Sequence, residues 1–341
     1  MKQETGNLRL GTPGAKLHQR KMADSQDLPA AAGTHHSSLI TRHCICLKRI
    51  GFLLLVLGLV MILPGKVLAL SIVDDMGHEI SLQEPAKRII PLYGAFAEML
   101  YALGADREVV ARTQADQFPP EIVRLPSVGT HMRPNVEMII GLKPDLVVQS
   151  ASRWEATAEM ERLQSAGIPV AVFSPNTFEE IFATMERLGV LVGRSDQARN
   201  EVAQLKMRLA AVRERLHDVK DPCGVFFEVR PEPLTAAGRG SIVQEILGAA
   251  GAKNVIKSEK AIIQYNFEAL LVADPDFYLV QRGPMSHNPL PPGKRPHFEQ
   301  LRSVRKGKVI FVDEYLFSRP GPRSVEAVEQ LARELYPEPF K

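Results

Sequence analysis

The chain has 341 residues, 45% hydrophobic and 24% charged, a globular composition with length enough for two ordinary domains. The formal net charge is +3, yet residues 1–69 hold nine of the 42 Lys and Arg and three of the 39 Asp and Glu, leaving 33 basic against 36 acidic residues beyond them. That balance excludes a basic nucleic-acid footprint in the remainder.

The first elements are a polar, basic tract over 1–49 and an apolar run, IGFLLLVLGLVMIL, over 50–63. The run is too short for an ordinary membrane span and has the length of a signal-peptide core. Lys48 and Arg49 precede it, and Val67-Leu68-Ala69 offers a small-residue cleavage site. The expectation for 50–69 is a signal peptide cleaved after Ala69, giving an exported, periplasmic protein; the alternative is an uncleaved N-terminal anchor. So long a polar stretch before a signal core is unusual, and 1–49 reads either as disordered or as a mis-assigned start. Cys44 and Cys46 leave with the leader, so Cys223 is alone and no intramolecular disulfide forms in the mature chain. No Cys closely follows the apolar run to carry a lipid.

From residue 70, SIVDDMGHEISL predicts two strands about a turn at Asp75-Met76-Gly77, RIIPLY (88–93) a short strand, and AFAEMLYALGA a helix ending at Gly104. VVARTQADQFPP reads as a strand and a Pro-closed loop, VEMIIGL as a helix, LVVQS as a buried strand, WEATAEMERLQSAG as a helix and IPVAVFS as a strand. Strands alternating with helices give an α/β lobe with a mainly parallel sheet over 70–174. The stretch 175–221 is a helical connector. In it Val202, Leu205, Leu209, Val212 and Leu216 recur at spacings of three and four, predicting one helix of about 20–25 residues, roughly 30–38 Å long. Ser195 is its expected N-cap and Asp221-Pro222 its end.

Over 222–341 the pattern restarts. GVFFEV is a strand, SIVQEILGAAGA a helix in which Glu245 answers Glu98, VIFVDEYLF a last strand and RSVEAVEQLARELYP a last helix. One phrase is written twice: NVEMIIGLKPDLVVQ (135–149) returns as NFEALLVADPDFYLVQ (266–281), with Asn, Glu and Pro-Asp at the same offsets. The fold class expected is α/β, two similar Rossmann-like lobes with mainly parallel sheets, joined by a single long α-helix. GxxxxGK[ST], GxGxxG and GxSxG are absent, and GRGS (238–241) is too short to count. The chain is therefore not read as an enzyme.

KRII (87–90), the Glu98 helix with its LGA, VG…N-x-E…LKPDLVV (128–148), LTAAGRGS with its following helix (234–248) and RPGPR (319–323) carry a resemblance. Over about residues 72–340 the chain resembles the periplasmic substrate-binding proteins that feed ABC importers of vitamin B12, ferric siderophores and haem. The resemblance implies a monomer that delivers a small-molecule chelate to a two-fold permease with its ATPase subunits, touching the membrane only through that permease. It assigns Glu137 and Glu268 to docking on permease arginines, where a carboxylate–guanidinium pair orients as well as attracts. The residues alone support a plainer reading: Asn135 and Asn266 cap helices, and a Glu in the first turn favours the helix dipole.

The resemblance also puts cargo between the lobes, at the carboxyl ends of the strands, as in open α/β sheets generally. The candidates are Tyr93, His131, Arg153 and Trp154 on one lobe, and Arg230, Arg239, Tyr265, Arg282, His287 and Arg319 on the other, with Met285 beside them. Such aromatics and arginines suit a large, partly apolar ligand bearing carboxylates or other oxygen acceptors. Each also has a structural reading as a loop anchor or a surface charge. His131 could ligate the metal of a macrocycle or hydrogen-bond a loop. Beyond the leader the histidines are His78, His131, His217, His287 and His297, with no HxxxH or CxxC, so free metal ranks last as cargo. No intrinsic cofactor is expected. A cobalamin-like corrinoid or ferric siderophore comes first and haem next; a non-transport ligand sensor is the alternative role.

Overall fold

The computed structural model describes residues 69–151 and 158–341. β1 (Leu70–Val73) and β2 (Glu79–Leu82) form an antiparallel hairpin. In its turn the Asp74 carboxylate accepts the N–H groups of Met76 and His78 at 2.9 Å and of Val172 at 3.1 Å, which ties the hairpin to the first lobe. That lobe continues through β3 (Ile89–Pro91), α1 (Gly94–Ala102), a small hairpin of β4 (Gly129–Thr130) and β5 (Arg133–Pro134), α2 (Val136–Gly141), β6 (Leu146–Ser150), α3 (Ala158–Ser165) and β7 (Val170–Phe173). Its sheet has the order β3-β6-β7, all parallel. The strand expected in VVARTQADQFPP is reduced to single bridges, Ile89 to Val109 and Arg112 to Ser127. The chain turns away at Thr113, whose N–H donates to Asp116 Oδ2 at 2.8 Å.

The connector is two helices, α4 (Phe178–Leu191) and α5 (Ser195–Arg215). Thr177 and Glu180 close a capping box on α4. Gly193, at φ +68, ends it. α5 has 21 residues, about 32 Å at 1.5 Å each. Its boundaries differ from expectation. Arg194 rather than Ser195 is the N-cap residue, and its guanidinium is held by Glu108 at 2.7 Å. The helix stops at Arg215, ahead of Asp221-Pro222, because the His217 ring bonds the Glu214 carbonyl at 2.7 Å and Val219 N–H bonds the Leu216 carbonyl at 3.0 Å.

The second lobe holds β8 (Cys223–Arg230), β9 (Thr235–Ala237), α6 (Ile242–Ala249), β10 (Ala252–Asn254), β11 (Ile262–Gln264), α7 (Phe267–Ala273), β12 (Phe277–Arg282), α8 (Arg302–Arg305), β13 (Val309–Asp313), α9 (Glu314–Phe317) and α10 (Ser324–Leu335). The sheet order is β11-β9-β8-β12-β13. β12 lies parallel to β8 and β13, while β8 is shared on its other edge: β10 pairs parallel with its start and β9 antiparallel with its end. VIFVDEYLF is not one strand. It ends at Asp313, whose carboxylate accepts Tyr315 N–H at 2.8 Å and starts α9.

Period-2 alternation splits each sheet into two faces. Ile90, Val147 and Val172 face a cluster private to the first lobe, and Phe226, Tyr278 and Val280 face one private to the second. The alternate residues Ile89, Val148, Phe173, Val225, Phe227 and Leu279 all join a third cluster, which runs through Leu188, Val202 and Leu205 of the connector. The lobes thus share one continuous core. The second lobe also buries a charge. Glu228 in β8 takes a bidentate grip from Arg295, Nη2 at 2.9 Å and Nη1 closer, and accepts the Tyr278 hydroxyl at 2.5 Å. Burial, then the neighbouring carboxylate, pushes that phenol well above its usual range.

Candidate functional site

A cavity of about 660 Å³ opens between the lobes. It sits at the carboxyl ends of both sheets: Tyr93 follows β3, Ser150 ends β6, Ser174 follows β7, Gln281 lies near the end of β12 and Glu314 follows β13. Phe96, Val229, Ile242, Val243, Ile262 and Met285 give it apolar walls.

Tyr93 occupies the N-cap position of α1 in extended conformation. Its ring lies 5.8 Å from Phe96 and 6.0 Å from His131, which forms with Met132 the two-residue turn between β4 and β5. Arg319 reaches across from the second lobe. Its Nη2 donates to the Ala115 carbonyl at 3.0 Å, its Nη1 lies 3.8 Å from Asp116, and its guanidinium stacks 4.2 Å over Tyr315. A Cβ at Gly94 would collide with that guanidinium and with Asp116, so this crossing requires glycine at the start of α1. Behind it Arg323 lies 3.9 Å from Glu98, and over Phe118 at 3.8 Å. Burial pushes the Glu98 carboxyl up to about 7, outweighing the pull of Arg323 and Arg319. Burial likewise raises Asp116 and Glu314, against backbone hydrogen bonds and the Arg319 charge.

Of the expected ligand-facing residues, Tyr93, His131 and Arg319 line this cavity, with Met285. Arg153 and Trp154 lie outside the described residues. The other five candidates do not line it, and each has a local reason. Arg230 bonds Thr235 Oγ1 at 3.3 Å, and Arg239 pairs with Glu259 at 3.3 Å. The Tyr265 ring packs 5.7 Å from Phe226 in the second lobe's private cluster. Arg282 stacks 3.7 Å over Phe311. His287 is exposed on its Pro-rich loop. Asp116, Gln281 and Glu314 line the cavity without having been foreseen. Glu314 was hidden inside a strand drawn too long; ending that strand at Asp313 would have put it at a carboxyl end.

Glu137 and Glu268 are both exposed at the second position of a helix capped by an Asn: Asn135 accepts Met138 N–H at 3.0 Å, and Asn266 accepts Ala269 N–H at 2.7 Å. Glu137 is ion-paired with Arg162. No described helix is long and apolar enough to cross a membrane.

The family model described as periplasmic binding protein matches residues 89–316. An uncharacterized ABC transporter substrate-binding lipoprotein of Bacillus subtilis is 31% identical over 281 residues, covering 81% of this chain and 88% of the relative. A vitamin B12-binding protein of Photorhabdus laumondii is 27% identical over 259 residues, 75% of this chain and 90% of its own. Among solved structures, the periplasmic vitamin B12 binding protein of Vibrio cholerae superposes with a TM-score of 0.65 at 25% identity, over 75% of this chain and 99% of that one.

Proposed function

Because the chain belongs to the periplasmic binding protein family and is the substrate-binding component of an ABC transporter, we propose that it captures a metal chelate, a cobalamin-like corrinoid or a ferric siderophore, and delivers it to the permease. The observation that carries this is the cavity of about 660 Å³ between the lobes, within the range of ligand pockets and walled by apolar side chains with a few polar groups. The B12-binding relatives support the chelate class. Haem is the second reading, favoured by the adjacent Tyr93 and His131 rings on the wall, either of which could face a macrocyclic metal.

In this reading cargo bridges the lobes and the connector limits closure to a rocking of a few degrees, since α4 and α5 share the core of both lobes. Glu137 and Glu268 dock the loaded protein on basic pockets of a two-fold permease. ATP hydrolysis belongs to subunits of that importer, and the binding protein acts as a monomer outside the cytoplasmic membrane, its leader cleaved after Ala69. The test is a titration of the purified chain with cyanocobalamin, ferric hydroxamates and haemin, followed by calorimetry and by melting shift, because a ligand selective for the native state stabilises it by mass action. Saturable binding of a corrinoid or ferric siderophore at micromolar or tighter Kd is expected. Binding of haemin alone would move the assignment to haem, and binding of none would end the chelate reading.

A further inference from the structure

The charges facing the cavity run against the carboxylate-bearing cargo that the arginines of the sequence suggested. Among the described lining residues there are two carboxylates, Asp116 and Glu314, and one guanidinium, Arg319. That guanidinium is committed: its side chain is 11% exposed and it is engaged by the Ala115 carbonyl, by Asp116 and by the Tyr315 ring. Behind it, Arg323 lies 3.9 Å from Glu98 and outside the lining. Asp116 is 1% exposed, and its Oδ1 has no hydrogen-bond partner among the described residues. Glu314 Oε2 accepts the Met285 N–H at 2.8 Å. A Cβ on Gly283 would strike the Glu314 side chain, so the backbone there leaves room for this carboxylate at the end of the sheet. Gln281, also on the lining, accepts the Ser318 hydroxyl on its Oε1, and its Nε2 has no hydrogen-bond partner among the described residues. Among the described lining residues the carboxylates therefore outnumber the guanidinium by one. A carboxylate entering the cavity would meet like charge where solvent screens poorly, whereas an N–H donor could pair with the Glu314 carboxylate.

Resting on the chelate reading above, we infer that the cleft selects a neutral or cationic chelate presenting amide or ammonium N–H groups to its floor, and that Glu314 is a specificity-determining residue. Two sources share this chemistry: a corrinoid fringed with carboxamides, and a ferric hydroxamate with a terminal ammonium.

The test ranks four probes on the full chain by calorimetry at fixed salt: cyanocobalamin, ferrioxamine B, haemin and an anionic ferric tricatecholate. Either or both of the first two should bind at least tenfold tighter than each of the anionic pair, and which of them binds identifies the source. Glu314→Gln keeps an oxygen for the Met285 N–H and removes the charge. It should weaken ferrioxamine B at least fivefold, leave cyanocobalamin within about threefold, and narrow the gap to haemin. Haemin or the tricatecholate binding as tightly as the others would overturn the inference and leave the chelate reading intact. A folded Glu314→Gln protein whose ferrioxamine B affinity and gap to haemin are both unchanged would remove Glu314 from the role. Should that variant fail to fold, the ranking on the parent protein decides. If no probe binds, the chelate reading falls and this inference with it.

Discussion

The two copies of the repeated phrase share a skeleton and differ on the outside. In each, an Asn caps a short helix, and the helix exits through a left-handed residue, Lys143 at φ +50 and Asp274 at φ +33. In each, the Asp after the Pro reaches back to a strand of its own lobe: Asp145 accepts Lys87 and Arg88 N–H at 2.8 and 2.9 Å, and Asp276 accepts Gly224 N–H at 2.8 Å. An arginine then serves the carbonyls at the helix end, Arg88 on Leu142 and Lys143, Arg302 on Asp274, each from its own place in the chain. Outward, the copies part. Glu137 is paired with Arg162 and followed one turn later by Gly141; Glu268 has no ion pair among the described residues and is followed by Val272, 88% exposed. What repeats is what the backbone must satisfy; what varies is what a partner would touch.

The sharpest way to break the likeness is at a feature only the second lobe has. Arg295→Ala strands the buried Glu228 carboxylate, and urea unfolding should lose about 3–5 kcal/mol; a loss under about 1 kcal/mol would mean that the network relaxes and that the lobes are equally tolerant. Glu98 tests the contact between the lobes. With its carboxyl raised to about 7 from 4.5, the native state holds a proton that the unfolded chain releases between those values. Its contribution is whole below pH 4.5 and lost as pH rises through 7, a swing of about 3 kcal/mol. Glu98→Gln should match the parent near pH 5 and exceed its stability at pH 8. Stability curves that stay parallel from pH 5 to 8 would show that Glu98 titrates alike in both states.

The caps sharpen the likeness instead. Asn135→Ala and Asn266→Ala should each cost about 1 kcal/mol, and unequal costs would mean that one copy is merely decorative. The smallest effect separates the outer faces. Glu137→Ala with Glu268→Ala should lower transport while cargo affinity stays within about threefold, ~0.7 kcal/mol. Of the singles, Glu268→Ala should cost more uptake, since Glu137 must first leave Arg162. Normal uptake by the double variant would remove both residues from docking.

Most of the strands and long helices were legible because their periodicity is imposed by burial: alternating residues of RIIPLY, LVVQS and FYLVQ divide between two cores. The boundaries of α5 were not, because the Arg194–Glu108 pair and the His217 bond to Glu214 act through side chains without periodicity. The cavity lining was legible only in part. Tyr93 follows from the rule of carboxyl ends, whereas His131 sits in the β4–β5 turn and Arg319 beyond α9; Arg230 and Arg282 obey the rule but are turned aside by Thr235 and Phe311, and Arg239, beyond the antiparallel β9, by Glu259. Such local partners depend on loop geometry that spacing does not encode. The buried Glu228 did leave a signal, a charge inside the apolar run GVFFEV.

The continuous core has a consequence for modularity. Leu188, Val202 and Leu205 belong to neither lobe, yet they complete the packing of both. A fragment ending within the connector would expose half of that surface, so neither lobe is an autonomous folding unit despite its own sheet. Heating should give one transition with calorimetric and van't Hoff enthalpies equal, and limited proteolysis should release no stable half. The doubled architecture has become, thermodynamically, a single object.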